Sequence, residues 1–243
     1  MSSTTNQSEI DVVYFVKNGD VNEELTYSLR SVEKNFPFRK LWLVGGCPKN
    51  IKEDFHIRSG QSAPMKYDRV GGMLRSIVRN NDLSENFYLF NDDFFVMKPI
   101  DEMPVLYRCN LCEHIVIVEE SFGGKPTEYT KRLRNTFKLL HKEGLSDARS
   151  YELHVPFLIN REKFNEMAHM FPYGYASRSL YGNLYKVGGT KSDDVKIYDN
   201  SSTPFKKEES PFISTSDHSW RENCRGVADY IKSQFPDKSR FEK

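Results

Sequence analysis

Asn91, Asp92 and Asp93 stand at the centre of FYLFNDDFFV (87–96) and break an otherwise aromatic and aliphatic run. A carboxylate buried without a partner costs several kcal/mol, so this pair belongs at a strand end beside solvent or against a cation. Both placements describe a site. A hard divalent ion such as Mg2+ takes oxygen ligands, usually one or two carboxylates plus substrate phosphates. The competing reading is a plain turn, since Asn and Asp favour turns and caps. Apolar residues crowd both sides of the triplet, and this favours the ion.

The cysteines carry a weaker signal. Cys47, Cys109, Cys112 and Cys224 are few for 243 residues and lack the spacing of a disulfide framework, so reduced thiols are expected. Cys109 and Cys112 form a C-x-x-C with His114 close behind. A structural zinc site normally needs a second paired set, and Cys47 and Cys224 are isolated in the sequence.

An acidic triplet needs elements to position it. IDVVYFV (10–16) reads as a buried strand that feeds a polar loop, Lys17 to Asp20. Leu25, Leu29, Val32 and Phe36 recur at helical spacing, with Asp20 or Asn22 as a cap and Pro37 just beyond the end. KLWLVGG (40–46) is then a second strand closed by glycines. This strand, helix, strand order predicts a βαβ unit with parallel pairing. A helix over 69–80 leads to the FYLF strand, and the triplet falls at that strand's carboxyl end, where open α/β sheets collect ligands.

Farther along, CEHIVIVEES (112–121) reads as a strand and 127–144 as a helix with Leu133, Phe137 and Leu140 inward and Gly144 as its stop. Lys131, Arg132, Arg134, Lys138 and Lys142 give that helix a basic face, either solvated or facing acidic groups or phosphates. HVPFLINREKF (154–164) predicts a strand leading into a short helix, and 172–192 a loop. A last helix from Ser216 or Asp217 would bury Trp220, Cys224, Val227, Ile231 and Phe235. Residues 1–9 predict a frayed tail, and 10–243 a single domain.

Lys and Arg number 35 against 34 Asp and Glu, a net charge of +1, so no global field draws nucleic acid or an anionic membrane. Neither a signal peptide nor an apolar run long enough to span a membrane is read, and the expected location is cytoplasmic.

IDVVYFV, ELTYSLRSVEKNFPFRKLWLVGG, NDLSENFYLFNDDFF and HVPFLINREKF resemble conserved blocks of the Stealth family of capsular hexose-1-phosphate transferases, which is related to GT-A glycosyltransferases. The resemblance spans roughly residues 10–220 and is densest in the first hundred. It implies a GT-A-like α/β fold with a mostly parallel sheet flanked by helices. Asp92 and Asp93 would hold Mg2+ or Mn2+, with Asn91 orienting them and Asp92 also meeting the donor. Ser28 would contact the donor, and Arg30 would reach the donor phosphates or brace the metal loop. The planar fork of arginine suits phosphate oxygens, although an ion pair with Glu23 or Glu33 competes. His154 matches a His-x-Pro block and would serve as general base or ligand, the alternative being a core histidine. Arg178 and Asn183 would contact donor or acceptor, against a tight turn at Gly182–Asn183. Asp217 or His218 would close the metal shell or act as base, unless Ser216 or Asp217 only caps a helix.

The expected activity is therefore metal-dependent transfer of a sugar or sugar phosphate from a nucleotide-sugar donor to a glycan hydroxyl. A modified DNA base is an alternative acceptor, with the basic helix tracking phosphates. A non-catalytic nucleotide- or glycan-binding module is the other class.

Overall fold

The computed structural model describes residues 9–59, 66–198 and 210–243, with backbone alone at 66–68. The expected frayed tail lies almost entirely outside the described residues.

β1 (Asp11–Val16) is buried along its whole length. α1 (Glu23–Asn35) follows and buries Leu25, Leu29 and Val32; Asn22 caps it by accepting from Leu25 N, and Phe36 ends it in extended backbone ahead of Pro37. β2 (Leu41–Gly45) and the short β3 (Phe55–Ile57) come next, then α2 (Lys66–Val78), β4 (Asn86–Asn91) and β5 (Phe94–Val96). β1 pairs in parallel with β2 and with β4, and β2 with β3. The predicted βαβ unit is thus present, and β1 takes the centre of the sheet because every one of its side chains is apolar or partnered.

Asp11 is the buried polar residue of that strand. Its carboxylate accepts from Arg39 Nε and Nη2 at 2.7 and 2.6 Å, from Trp42 Nε1 at 2.9 Å and from Ser84 N at 2.9 Å. This network ties the amino ends of β1, β2 and β4 together. At the opposite end, Gly46 lies so near the loop after β1 that a Cβ there would stand 2.3 Å from the Lys17 carbonyl oxygen. Glycine is what lets the two loops meet.

β6 (Leu106–Tyr107), α3 (Leu111–Ser121) and α4 (Glu128–Lys142) are next. The strand expected at 112–121 is helical. Leu111, His114 and Ile115 are buried at i, i+3 and i+4, while Val116 and Ile117 are exposed, so packing against α4 overrides the β-branched composition. α4 is the predicted helix, and it ends in a Schellman pattern: Gly144 at φ +79°, Gly144 N to His141 O, and Leu145 N to Leu140 O. Its basic face is partly paired within the chain, Lys131 with Glu128 and Arg134 with Glu119.

β7 (Phe157–Asn160) completes a five-stranded sheet of order β3-β2-β1-β4-β7 and runs into α5 (Arg161–Met170). The region expected as loop contains α6 (Ser177–Leu184), in which Gly182 packs against the Tyr151 ring. That glycine serves close packing in a helix rather than a turn. After β8 (Thr190–Lys191), β9 (Lys196–Ile197) pairs in parallel with β10 (Phe212–Thr215), which in turn runs antiparallel to β5.

The expected last helix is broken into α7 (Asp217–Arg221), a 3-10 turn at Cys224–Gly226 and α8 (Val227–Gln234). Asn223, Arg225 and Gly226 take positive φ between them, which no continuous helix permits. The predicted stripe is buried all the same: Trp220, Val227, Ile231 and Phe235 share a core with Phe95, Ile197 and Ile213.

Contacts cluster into two compact units. One comprises residues up to Met103 together with His154–Ile159 and Val195–Lys243; the other comprises Pro104–Leu153 and Asn160–Asp194. Among the described residues no helix is long and apolar enough to cross a membrane.

Candidate active site

Asn91 is the last residue of β4, and Asp92 and Asp93 form the turn into β5. The backbone therefore turns at the triplet, and both carboxylates are held in a hydrogen-bond network. Asp92 Oδ2 accepts from Asn22 Nδ2 at 2.7 Å. Asn22 works at both ends, since its Oδ1 caps α1. Asp93 Oδ2 accepts from Lys196 Nζ at 2.6 Å and Ser214 Oγ at 3.2 Å. The small sheet of β5, β10 and β9 brings these two partners to the triplet, because it sets the start of β9 and the middle of β10 beside the turn.

Two further carboxylates join them. Glu24, in the first turn of α1, accepts from Thr215 Oγ1 at 2.6 Å. Burial pushes its carboxyl up to about 7, and the charges of Asp93, Asp92 and Asp217 push the same way against the Thr215 hydrogen bond. Asp217, at the start of α7, lies 3.3 Å from Lys17 Nζ in an exposed pair. Ser216, not Asp217, caps that helix, through a reciprocal pair with Ser219.

Burial, and then Asp93, also raises Asp92, against the lowering effects of Asn22 and Lys17. Four carboxylates (Glu24, Asp92, Asp93 and Asp217) thus meet two ammonium groups, Lys17 and Lys196. Such an excess of negative charge fits a hard divalent cation, which prefers an all-oxygen donor set. Among the described residues this cluster does not gather three ligand atoms within 4.8 Å of one another. An ion here would complete its shell with solvent and phosphate oxygens, as Mg2+ commonly does.

His154 is half-buried, with Phe94 and Tyr198 each edge-on to its ring at 6.5 and 6.0 Å between centroids. His218 is exposed on α7. Ser28 is fully buried; its hydroxyl bonds Phe94 O and the Tyr14 hydroxyl, bracing the strand just after the triplet. Arg30 is committed elsewhere. Its Nε and Nη2 each reach the Glu242 carboxylate at 2.7 Å, and its Nη1 reaches the carbonyls of Phe235 and Pro236, so these residues occupy the fork that was expected to meet phosphate.

Arg178 and Asn183 belong to the other unit. Arg178 Nη1 donates to Leu153 O, and Asn183 brackets the backbone of Arg149 on both its N–H and its C=O. Sequence reasoning missed Glu24, Lys17 and Lys196. Glu24 looks like an ordinary acidic first turn, and nothing local marks a lysine 103 positions away as the partner of Asp93.

The sequence matches no family model and no curated protein. Solved structures do resemble the fold. A crystal structure of the galactosyltransferase LgtC in complex with donor and acceptor sugar analogues aligns over 96% of this chain and 98% of its own, with TM-score 0.50 and 11% identity. Mouse xyloside xylosyltransferase 1, in its apo form, aligns over 96% of each chain with TM-score 0.37 and 8% identity. The fold is thus the mixed α/β, mostly parallel architecture of GT-A glycosyltransferases.

Proposed function

We propose that this chain is a glycosyltransferase that moves a sugar from a nucleotide-sugar donor to a glycan hydroxyl with the help of Mg2+ or Mn2+. The observation that carries this reading is the carboxylate cluster around Asp92 and Asp93 at the carboxyl end of β4, in a fold shared with LgtC. Asp92 and Asp93 would hold the ion, and when bound it would supply positive charge that offsets the charge developing on the leaving group.

The protein's own part is positioning. Asn22 fixes Asp92, while Lys196 and Ser214 fix Asp93, so the ligand oxygens are oriented before any donor arrives. Asn91 continues the strand register opposite Phe15 and holds the turn in line. His154 and Asp217 are the groups proposed to take the acceptor proton, and His218 follows Asp217 on α7. Transfer of a hexose phosphate, which the Stealth resemblance implies, would use the same diphosphate anchor; product analysis separates the two.

Thermal shift against a panel of nucleotide sugars, with and without Mn2+ or Mg2+, tests the reading. One donor at a hundred times its Kd should add about 2.7 kcal/mol of stability, only with metal present. Asp93→Asn should abolish that increment while leaving the unliganded protein folded. No shift with any donor under any metal condition would remove the transferase assignment.

A further inference from the structure

A second group of ligand-type side chains lies apart from the acidic cluster in the sequence and in its chemistry. Cys47, Glu53 and His56 bring one sulfur, one carboxylate oxygen and one ring nitrogen within 4.8 Å of one another. We propose that these three residues form a second metal site, one that takes a borderline transition ion of the zinc class.

The geometry suits such an ion. Cys47 Sγ lies 3.3 Å from Glu53 Oε2. Bonds of roughly 2.3 Å to sulfur and 2.0 Å to oxygen place two ligands of a tetrahedral ion about 3.5 Å apart, so little movement is needed. His56 lies in β3 opposite Leu43 of β2, and its Nε2 is 2.9 Å from Gly45 O. A proton on Nε2 donated to that carbonyl leaves the Nδ1 lone pair for the metal. Metal-binding histidines are oriented in this way by their other ring nitrogen.

The backbone around the three residues is fixed. Cys47 follows Gly46, whose contact with Lys17 backbone admits no side chain, and Asp54, next to Glu53, accepts from Leu41 N at 2.8 Å.

The charges point the same way. Without a cation, the thiol donates to the Glu53 carboxylate. On binding, Cys47 releases its proton to solvent; the thiolate and the Glu53 carboxylate then supply the two negative charges that match a divalent ion. Water takes the fourth position. Thiolate and imidazole select zinc-class ions over Mg2+, so this site and the oxygen-only cluster sort metals by softness. Its consequence for the fold is a clasp between the end of β2 and the edge strand β3.

Cobalt(II) titration of the full chain, tag removed and stripped with chelator, tests the proposal without any sugar donor. One equivalent should produce a thiolate-to-cobalt charge-transfer band, displaced by zinc and not by Mg2+. The band should persist in Cys112→Ser and in Asp93→Asn, disappear in Cys47→Ser and weaken in His56→Gln. Loss of a direct ligand should lower zinc affinity by more than the 10- to 100-fold typical of an outer-shell change. No band in the wild-type protein, or a band that survives Cys47→Ser, overturns the site. Either result leaves the nucleotide-sugar assignment untouched, since that rests on Asp92 and Asp93.

Discussion

Glu24 shows how a single residue reports on its surroundings. Its carboxyl, at about 7 in the folded chain, lies above the ordinary 4.5 that it takes when unfolded. The folded state therefore holds the extra proton between those values, so this contribution to stability is full below about pH 4.5 and is lost as pH rises through 7. Discounted for partial solvent contact, the loss is roughly 2 kcal/mol. Glu24→Gln should remove it: in urea unfolding the variant should gain about that much over wild type at pH 8 and nothing at pH 4. Equal stability differences at both pH values would show that neither burial nor the neighbouring aspartates raise the Glu24 carboxyl. Asp92 and Asp93 were legible from their types and position, because carboxylates inside an apolar run require a partner. Their actual partners, Asn22, Lys196 and Ser214, were not, because a hydrogen bond leaves no trace in local periodicity.

Elements were read best where the pattern was local and unambiguous. β1, α1, β2 and β4 follow from apolar runs and helical spacing, and parallel pairing follows from their order. α3 was misread because Ile115, Val116, Ile117 and Val118 favour a strand by type, whereas neighbouring α4 offers a surface that only a helix stripe can cover. The junction between β2 and the loop after β1 depends on Gly46. Gly46→Ala would set a methyl group against Lys17 backbone, which cannot rotate away. An overpacking cost of about 1–3 kcal/mol in chemical denaturation is expected, with the loop that carries Lys17 displaced. A variant as stable as wild type would mean that the loop yields freely.

Over the whole chain, residues far apart close the structure. The Arg30–Glu242 pair joins positions 212 apart, with side chains only 11% and 8% exposed. Removing one partner of such a pair strands the other, and Glu242→Ala should cost about 3 kcal/mol, whereas the exposed Lys49–Asp20 pair should cost under about 1 kcal/mol when Lys49 becomes Ala. Thermal melts of the two variants side by side check this contrast.

The sequence by itself determined the α/β class, the central βαβ unit and the position of an acidic triplet at a strand end, because hydrophobic period, caps and strand ends are written in neighbouring residues. Only the tertiary structure decided what surrounds that triplet, that Arg30 holds Glu242, that 112–121 is helical and that Cys47 meets His56. Each of those outcomes depends on which segments pack together, and that choice minimises buried charge and exposed apolar surface over the whole chain rather than within any window of it.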